Sequence, residues 1–470
     1  MSRAELPVAV IGAGPIGLAA AAHLVRRGET PLVLEAGPAV GHALRQWAHV
    51  GMFSPWRYNI DPVAAGLLEA HGWTRPPDDE IPTGGELVAR YLEPLAAVPE
   101  LEGRIRLRNR VVAVTRKGLD KVKTEGRAEA PFVLRIADPA GGEQMVEAKA
   151  VIDASGTWLT PNPAGADGLP ALGETEAAAR IFYGIPDVLG AERARYAGRT
   201  VMVVGGGHSA LNALIELAEL RENESATRIL WVMRKENIET AYGGEEADAL
   251  AARGALGSQA RRLVETGVVE VLSPFRIASI KRTASGALLV GGDHAGAARE
   301  IAADEMVVAT GFRPDFSFLR EIRLTLDPWL ESSGTIGPLI DPNLHSCGTV
   351  RPHGARELAH AEPDFFIAGM KSYGRAPTFL LATGHEQVRS IVAALLGDME
   401  AAARVELELP ETGVCTTRPL RSKTPTAGTV AAESSCCGSA ASQRTAGPGA
   451  CCEPRKKQPA EEERASSCCA

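Results

Sequence analysis

The sequence predicts an α/β protein built on parallel sheets, followed by a disordered C-terminal tail. Three observations carry this reading. A strand–glycine turn–helix unit occupies residues 7–27, a second follows at residues 200–220, and residues 411–470 contain no Phe, Trp, Tyr, Ile or Met. A chain of 470 residues is long enough for two or three domains, and an apolar fraction of 45% supplies their cores. The net charge of -8 speaks against nucleic acid as a principal partner.

The first unit begins with the strand Pro7 to Ile11 and turns through Gly12, Gly14 and Gly17 in the spacing G-x-G-x-x-G. Pro15 and Ile16 open a helix running to about Arg27, and a second strand, Pro31 to Leu34, ends in Glu35. Gly12 permits the sharp turn, Gly14 lets the backbone approach a diphosphate, and Gly17 lets helix and strand pack closely. The phosphates then sit at the positive end of the helix. Glu35 is placed to accept from the ribose hydroxyls of an adenosine. The uncharged run of 18 residues from Val8 to Val25 approaches the length of a membrane span, but the glycine turn splits it into strand and helix. A soluble, cytoplasmic protein is expected, without a membrane partner.

The second unit repeats the pattern. Strand Thr200 to Val204 leads into Gly205, Gly206, Gly207, His208, Ser209 and Ala210, a G-x-G-x-x-A turn before another helix. The next strand, Arg228 to Met233, ends in Arg234 and Lys235 where the first unit has Glu35. An acid there repels a 2′-phosphate, whereas Arg and Lys attract it, so the second unit is expected to prefer NADPH. His208 is a candidate phosphate donor within the turn. Both units are therefore Rossmann-like, with different ribose chemistry.

Two further apolar strands end in small residues: Glu147 to Ala154 before Ser155 and Gly156, and Glu305 to Ala309 before Thr310 and Gly311. In the order Asp153-Ala-Ser-Gly and Ala309-Thr-Gly-Phe-Arg-Pro-Asp315 they resemble the crossover segments of two-dinucleotide-binding flavoproteins. The resemblance spans about residues 6–400. Within that superfamily the chain is most similar to class B, flavin-containing monooxygenases. Through Met52-Phe-Ser-Pro-Trp56 and Met370-Lys-Ser-Tyr-Gly-Arg375 it resembles flavoproteins of bacterial arsenic-resistance operons. The resemblance implies one tightly held FAD, one exchangeable NADPH and a small-molecule substrate. It also implies an FAD domain formed by residues 1–165 and 300–400, with an NADPH domain, 166–299, inserted between them. Residues 104–148 carry alternating β-branched runs that read as a β-meander. Asp364 to Ala368 reads as a strand reaching Gly369, and Pro377 as the first residue of a helix to about Leu396. Arg45 and Trp47, with Trp56, are candidates to line the flavin; core packing is the equal alternative for the tryptophans.

The chain departs from the family pattern in three places. Gly369 is followed by Met370 where relatives commonly carry an Asp that bonds the ribityl chain. The F-x-G-x-x-x-H signature of class B monooxygenases is present at Phe182 and Gly184, but its histidine position holds Val188. No C-x-x-C or C-x-x-x-x-C occurs before the tail, which argues against a flavin-adjacent redox disulfide.

The tail is too poor in large apolar residues to offset its ordering entropy. Yet it holds seven of the eight cysteines, six of them as the adjacent pairs Cys436-Cys437, Cys451-Cys452 and Cys468-Cys469. Their spacing does not suit zinc. Neighbouring Cα atoms about 3.8 Å apart fall below the disulfide range of about 4.4–6.8 Å, so these pairs are expected to persist as dithiols. Adjacent thiolates are soft chelators, and trivalent arsenic or antimony (arsenite or antimonite) is the expected ligand. The overall expectation is an FAD-dependent oxidoreductase that takes hydride from NADPH. Its flavin is reoxidised by oxygen with oxygenation of a small molecule, or by a thiol or metalloid acceptor through the tail. A metalloid-binding chaperone on an idle flavoprotein scaffold is the third reading.

Overall fold

A computed structural model describes residues 3–137, 141–245, 251–344 and 350–407. Two five-stranded parallel sheets organise it. In chain order the elements of the first are β1 (Val8–Ile11), helix α1 (Pro15–Arg26) and β2 (Pro31–Leu34); helix α2 (Pro62–Ala70) and β3 (Ile105–Arg106) follow. Three strands, β4 (Arg110–Arg116), β5 (Phe132–Ala137) and β6 (Glu143–Ala148), then pair antiparallel as the expected meander, and β7 (Ala150–Asp153) returns to the sheet.

The second sheet takes β8 (Ile181–Tyr183), β9 (Thr200–Val204), helix α3 (His208–Asn223), β10 (Arg228–Val232), helix α4 (Ala251–Glu265) and β11 (Val269–Leu272). Another antiparallel trio, β12 (Phe275–Arg282), β13 (Leu288–His294) and β14 (Ala297–Ala303), precedes β15 (Glu305–Val308). Finally β16 (Phe365–Ile367) and helix α5 (Leu381–Leu395) complete the first part. The strand orders are β16-β7-β1-β2-β3 and β11-β10-β9-β15-β8.

The central parallel strands read as continuous apolar runs because both of their faces are covered; β1, β2, β7, β9 (from Val201) and β15 are buried at every position. Register aligns the strand ends: Ile11 lies opposite both Leu34 and Asp153, and Val204 opposite both Val232 and Val308. Ligands of open α/β sheets bind beyond such carboxyl ends. The meander is fastened by a buried ion cluster, in which Arg116 and Arg127 both bond the carboxylate of Glu362.

Two expected boundaries are corrected. Strand β15 falls on the FAD side of the expected limit at residue 300, but it pairs with β8 and β9 in the second sheet. The return crossing therefore falls after Val308; an apolar four-residue strand carries no label of the sheet it joins. Pro377 does not open a helix either. Pro377 lies at a bend, residues 378–380 are not helical, Leu380 is extended with a ψ of 148°, and α5 starts at Leu381. Among the described residues no helix is long and apolar enough to cross a membrane.

Candidate functional site

At the end of β1, Gly12 adopts a φ of +101°, and a Cβ there would lie 2.8 Å from the carbonyl oxygen of Ala154. Gly17 sits so close to the turn that its Cβ would fall 2.0 Å from the Gly12 oxygen. Gly14 between them is different: nothing lies within 4 Å of its Cβ position. It is the N-cap of α1, with Pro15 in the first turn and no side-chain cap on the helix. The result is an open cradle on a helix N-terminus that a side chain at Gly14 would fill, which suits a dinucleotide diphosphate. Ile16 faces the opposite way, against Gly369 and Gly384, whose Cβ positions lie 3.1 and 2.5 Å from its side chain.

Glu35 stands at the tip of β2 as expected, and its carboxylate also shapes the turn. Its two oxygens accept the backbone N–H groups of Ala13 at 2.7 Å and Gly37 at 2.6 Å. Each oxygen retains a lone pair for a ribose hydroxyl.

The second cradle has the same construction. Gly205 has a φ of +133° and abuts the Ala309 oxygen, 2.4 Å from its Cβ position, while nothing lies within 4 Å of a Cβ at Gly207. Gly207 is the N-cap of α3, again without a side-chain cap, and His208 and Ser209 are its first residues. The His208 ring lies 5.0 Å from that of Phe53. Arg234 and Lys235 are both exposed after β10; Arg234 donates to the Ala166 carbonyl at 2.9 Å.

The two crossovers run side by side between the cradles. Pro161 bridges Phe312, the Asn162 N–H donates to the Gly311 oxygen at 2.9 Å, and the Thr310 hydroxyl donates to the Asn162 oxygen at 2.9 Å. Trp158 follows Ser155 and Gly156 on one crossover, and its ring lies 4.6 Å from Phe312 on the other and 6.3 Å from Trp47. Gly184 makes room for it, since a Cβ there would stand 3.1 Å from the indole. Trp47 is thus brought to the junction of the crossovers. Trp56 is fully buried core, and Arg45 is an exposed residue bonded to the Val40 carbonyl and Glu93.

Several site groups were not singled out from sequence. Lys371 and Asp153 form a buried ion pair at 2.7 Å beside Ser155. The Gly369 N–H donates to Gln387, which in turn meets His353 at 2.9 Å; burial lowers the pKa of His353 and favours its neutral form. Lysine in a short Gly-Met-Lys-Ser stretch reads as a surface turn, and a lone glutamine in a helix carries no motif. Val188, at the position where class B monooxygenases have histidine, is wholly buried in apolar surroundings, and its N–H donates to Glu216. Among the described residues no cluster of His, Cys, Asp or Glu could hold a metal ion, and the six paired tail cysteines lie outside them.

Comparison with known proteins agrees with this geometry. A ferredoxin–NADP reductase of Lactiplantibacillus plantarum is 25% identical over 325 residues, covering 68% of this chain and 78% of the relative. The bacillithiol disulfide reductase of Bacillus cereus superposes with a TM-score of 0.60 at 21% identity, over 83% of this chain and 99% of that one. The cadaverine monooxygenase DfoA of Erwinia amylovora, bound to FAD, gives 0.60 at 13% identity, over 86% and 97%. At such identities these two structures share the fold. Residues 6–331 match the description pyridine nucleotide-disulphide oxidoreductase. The chain belongs to that family, an oxidoreductase whose cofactors are FAD and a pyridine nucleotide.

Proposed function

We propose that this protein is an NADPH-dependent flavin monooxygenase acting on a small molecule. FAD occupies the Gly12–Gly17 cradle and NADPH the Gly205–Ala210 cradle. The observation that carries the reading is the pair of open helix N-termini at Gly14 and Gly207, with an acid after one second strand and Arg234 and Lys235 after the other. When bound, the flavin accepts hydride from the nicotinamide and passes electrons to a second substrate.

The chain's own residues position both ligands. The α1 and α3 N-termini hold the diphosphates, Glu35 takes the adenosine ribose of FAD, and Arg234 and Lys235 attract the 2′-phosphate of NADPH. Trp47, Trp158 and Phe312 form an aromatic cluster at the crossovers. Residues 1–346 contain no cysteine, so the relay of a disulfide reductase cannot be assembled there, which favours a diffusible acceptor.

The test is NADPH oxidation by the FAD-loaded protein in air, with and without a panel of small amines, thiols and organoarsenicals. Oxygen consumption matched to an oxygenated product supports the reading; flavin that NADPH does not reduce overturns it. A second reading, reduction of a thiol or metalloid acceptor, draws on the three cysteine pairs of the tail and its resemblance to proteins of arsenic-resistance operons. Arsenite or antimonite held by Cys436, Cys437, Cys451, Cys452, Cys468 and Cys469 is its requirement. Replacing all six by serine abolishes arsenite binding under that reading and leaves NADPH oxidation in air untouched under the first.

A further inference from the structure

The ion pair of Asp153 and Lys371 lies on the floor of the first cradle. The Lys371 Nζ stands 2.7 Å from Asp153 Oδ2 and 3.1 Å from Ser155 Oγ, and the paired side chains are 0% and 1% exposed. The same ammonium faces the ring of Phe318 at 4.4 Å. An ammonium offers three N–H donors and no acceptor; a carboxylate, a hydroxyl and a ring face account for all three. So buried a charge persists only with its partners in place.

The partners lead to the cradle. The second oxygen of Asp153 accepts the Ser155 N–H at 3.0 Å, so Ser155 is held at both its backbone and its hydroxyl. Its Cα lies 3.1 Å from where a Cβ of Gly12 would stand. On the other side the Ala368 N–H donates to the Asp153 carbonyl at 2.9 Å, and Gly369 packs on Ile16 before the chain reaches Lys371. Lys371 therefore ties residues 153–156 to residues 369–373, the two loops that border the Gly12 turn. It also sets the sense of one hydrogen bond. The Ser155 oxygen accepts from the ammonium, so its own proton is available for donation, and Ser155 is an exposed residue.

We propose that Lys371 is a positioning residue for FAD: paired with Asp153, it holds Ser155 as a hydrogen-bond donor to an acceptor oxygen of the FAD bound at the Gly12 turn. The inference rests on FAD occupying the first cradle. It gives Ser155, a cofactor-binding candidate from the crossover sequence, a defined role, and adds the buried charge that directs it.

The test is a fluorescence titration of deflavinated protein with FAD, with far-ultraviolet circular dichroism to confirm that each variant is folded. Ser155→Ala removes only a hydroxyl and is expected to weaken FAD binding about threefold to tenfold. Ser155→Thr, which keeps the hydroxyl, restores it. Lys371→Met keeps the length and apolar body of the side chain and loses the charge; it weakens binding at least as much. In the Lys371→Met background Ser155→Ala has no further effect, because the hydroxyl has already lost its direction. Should Lys371→Met not fold, the Ala and Thr variants of Ser155 decide alone. Ser155→Ala that binds FAD as wild type does, or losses that simply multiply in the double variant, overturn the inference and leave the FAD assignment standing. Wild-type protein that takes up no FAD overturns both.

Discussion

Glu216 on α3 places Oε1 3.9 Å from the Nε2 of His49, a buried ring nitrogen that makes no hydrogen bond. The two residues lie on different parts of the chain, His49 in the loop after β2 and Glu216 within the helix that starts at the second glycine turn. Phe53 and His208 meet a few residues away on the same two segments. The loop that follows the first βαβ unit thus rests against the helix that presents the second cradle.

Burial of Glu216 makes stability depend on pH. Burial pushes the Glu216 carboxyl up to about 7 from 4.5, aided by Asp187 and Glu219 and opposed by the Val188 N–H. The folded state binds a proton there that the unfolded state has released, so stability falls as pH rises from about 4.5 through 7. Glu216→Gln is expected to raise the melting temperature at pH 8 and leave it unchanged at pH 5. Allowing for partial exposure, the gain is on the order of 1 kcal/mol. An equal rise at both pH values would show that desolvation of Glu216 is not the cause.

Gly14 and Gly17 separate ligand binding from folding. Gly14→Val places its side chain in open space and should give folded protein without flavin, visible as a colourless preparation with a native melting transition. Gly17→Val drives a side chain into the Gly12 carbonyl and should fail to fold. Yellow Gly14→Val protein would contradict the assignment of the first cradle.

Coenzyme choice is expected to rest on Arg234. A charge-assisted hydrogen bond contributes about 1.5–3 kcal/mol, so Arg234→Ala should raise the KM for NADPH roughly 10- to 100-fold while that for NADH stays nearly constant. Steady-state kinetics with both coenzymes check this. Equal changes would place Arg234 away from the 2′-phosphate.

Glu362 is the counter-charge of two buried guanidiniums, at 2.8 Å from Arg116 and 2.7 Å from Arg127. Burial alone would raise its pKa, but the bonds from Arg127 and Arg116 overcome this and hold it below the usual 4.5. The stabilisation is therefore present at neutral pH and lost as pH falls through the depressed value. Glu362→Gln leaves both cations without this counter-charge, bonded only to backbone carbonyls, and should cost about 3–5 kcal/mol in denaturant unfolding. A loss under 1 kcal/mol would mean that the cluster relaxes into solvent.

Both cradles were legible in the sequence because their chemistry is local. The roles of Gly12, Gly14 and Gly17 follow from a turn, a helix start and a strand within ten residues, and the acid at Glu35 or the bases at Arg234 and Lys235 follow from where the next strand ends. The same locality made the parallel strands readable as short apolar runs. Long-range choices were not written in that form. Whether β15 joins the first or the second sheet depends on which neighbour pairs with Val308, and its own four residues suit either. Lys371 reads as a surface cation until the fold closes Asp153, Ser155 and Phe318 around it, and Glu216 as an exposed helix acid until His49 and Val188 cover it. Backbone conformation and apolar periodicity are set by neighbours along the chain, whereas burial of a charge and the identity of its partner are set by residues hundreds of positions away, and only the tertiary structure brings those together.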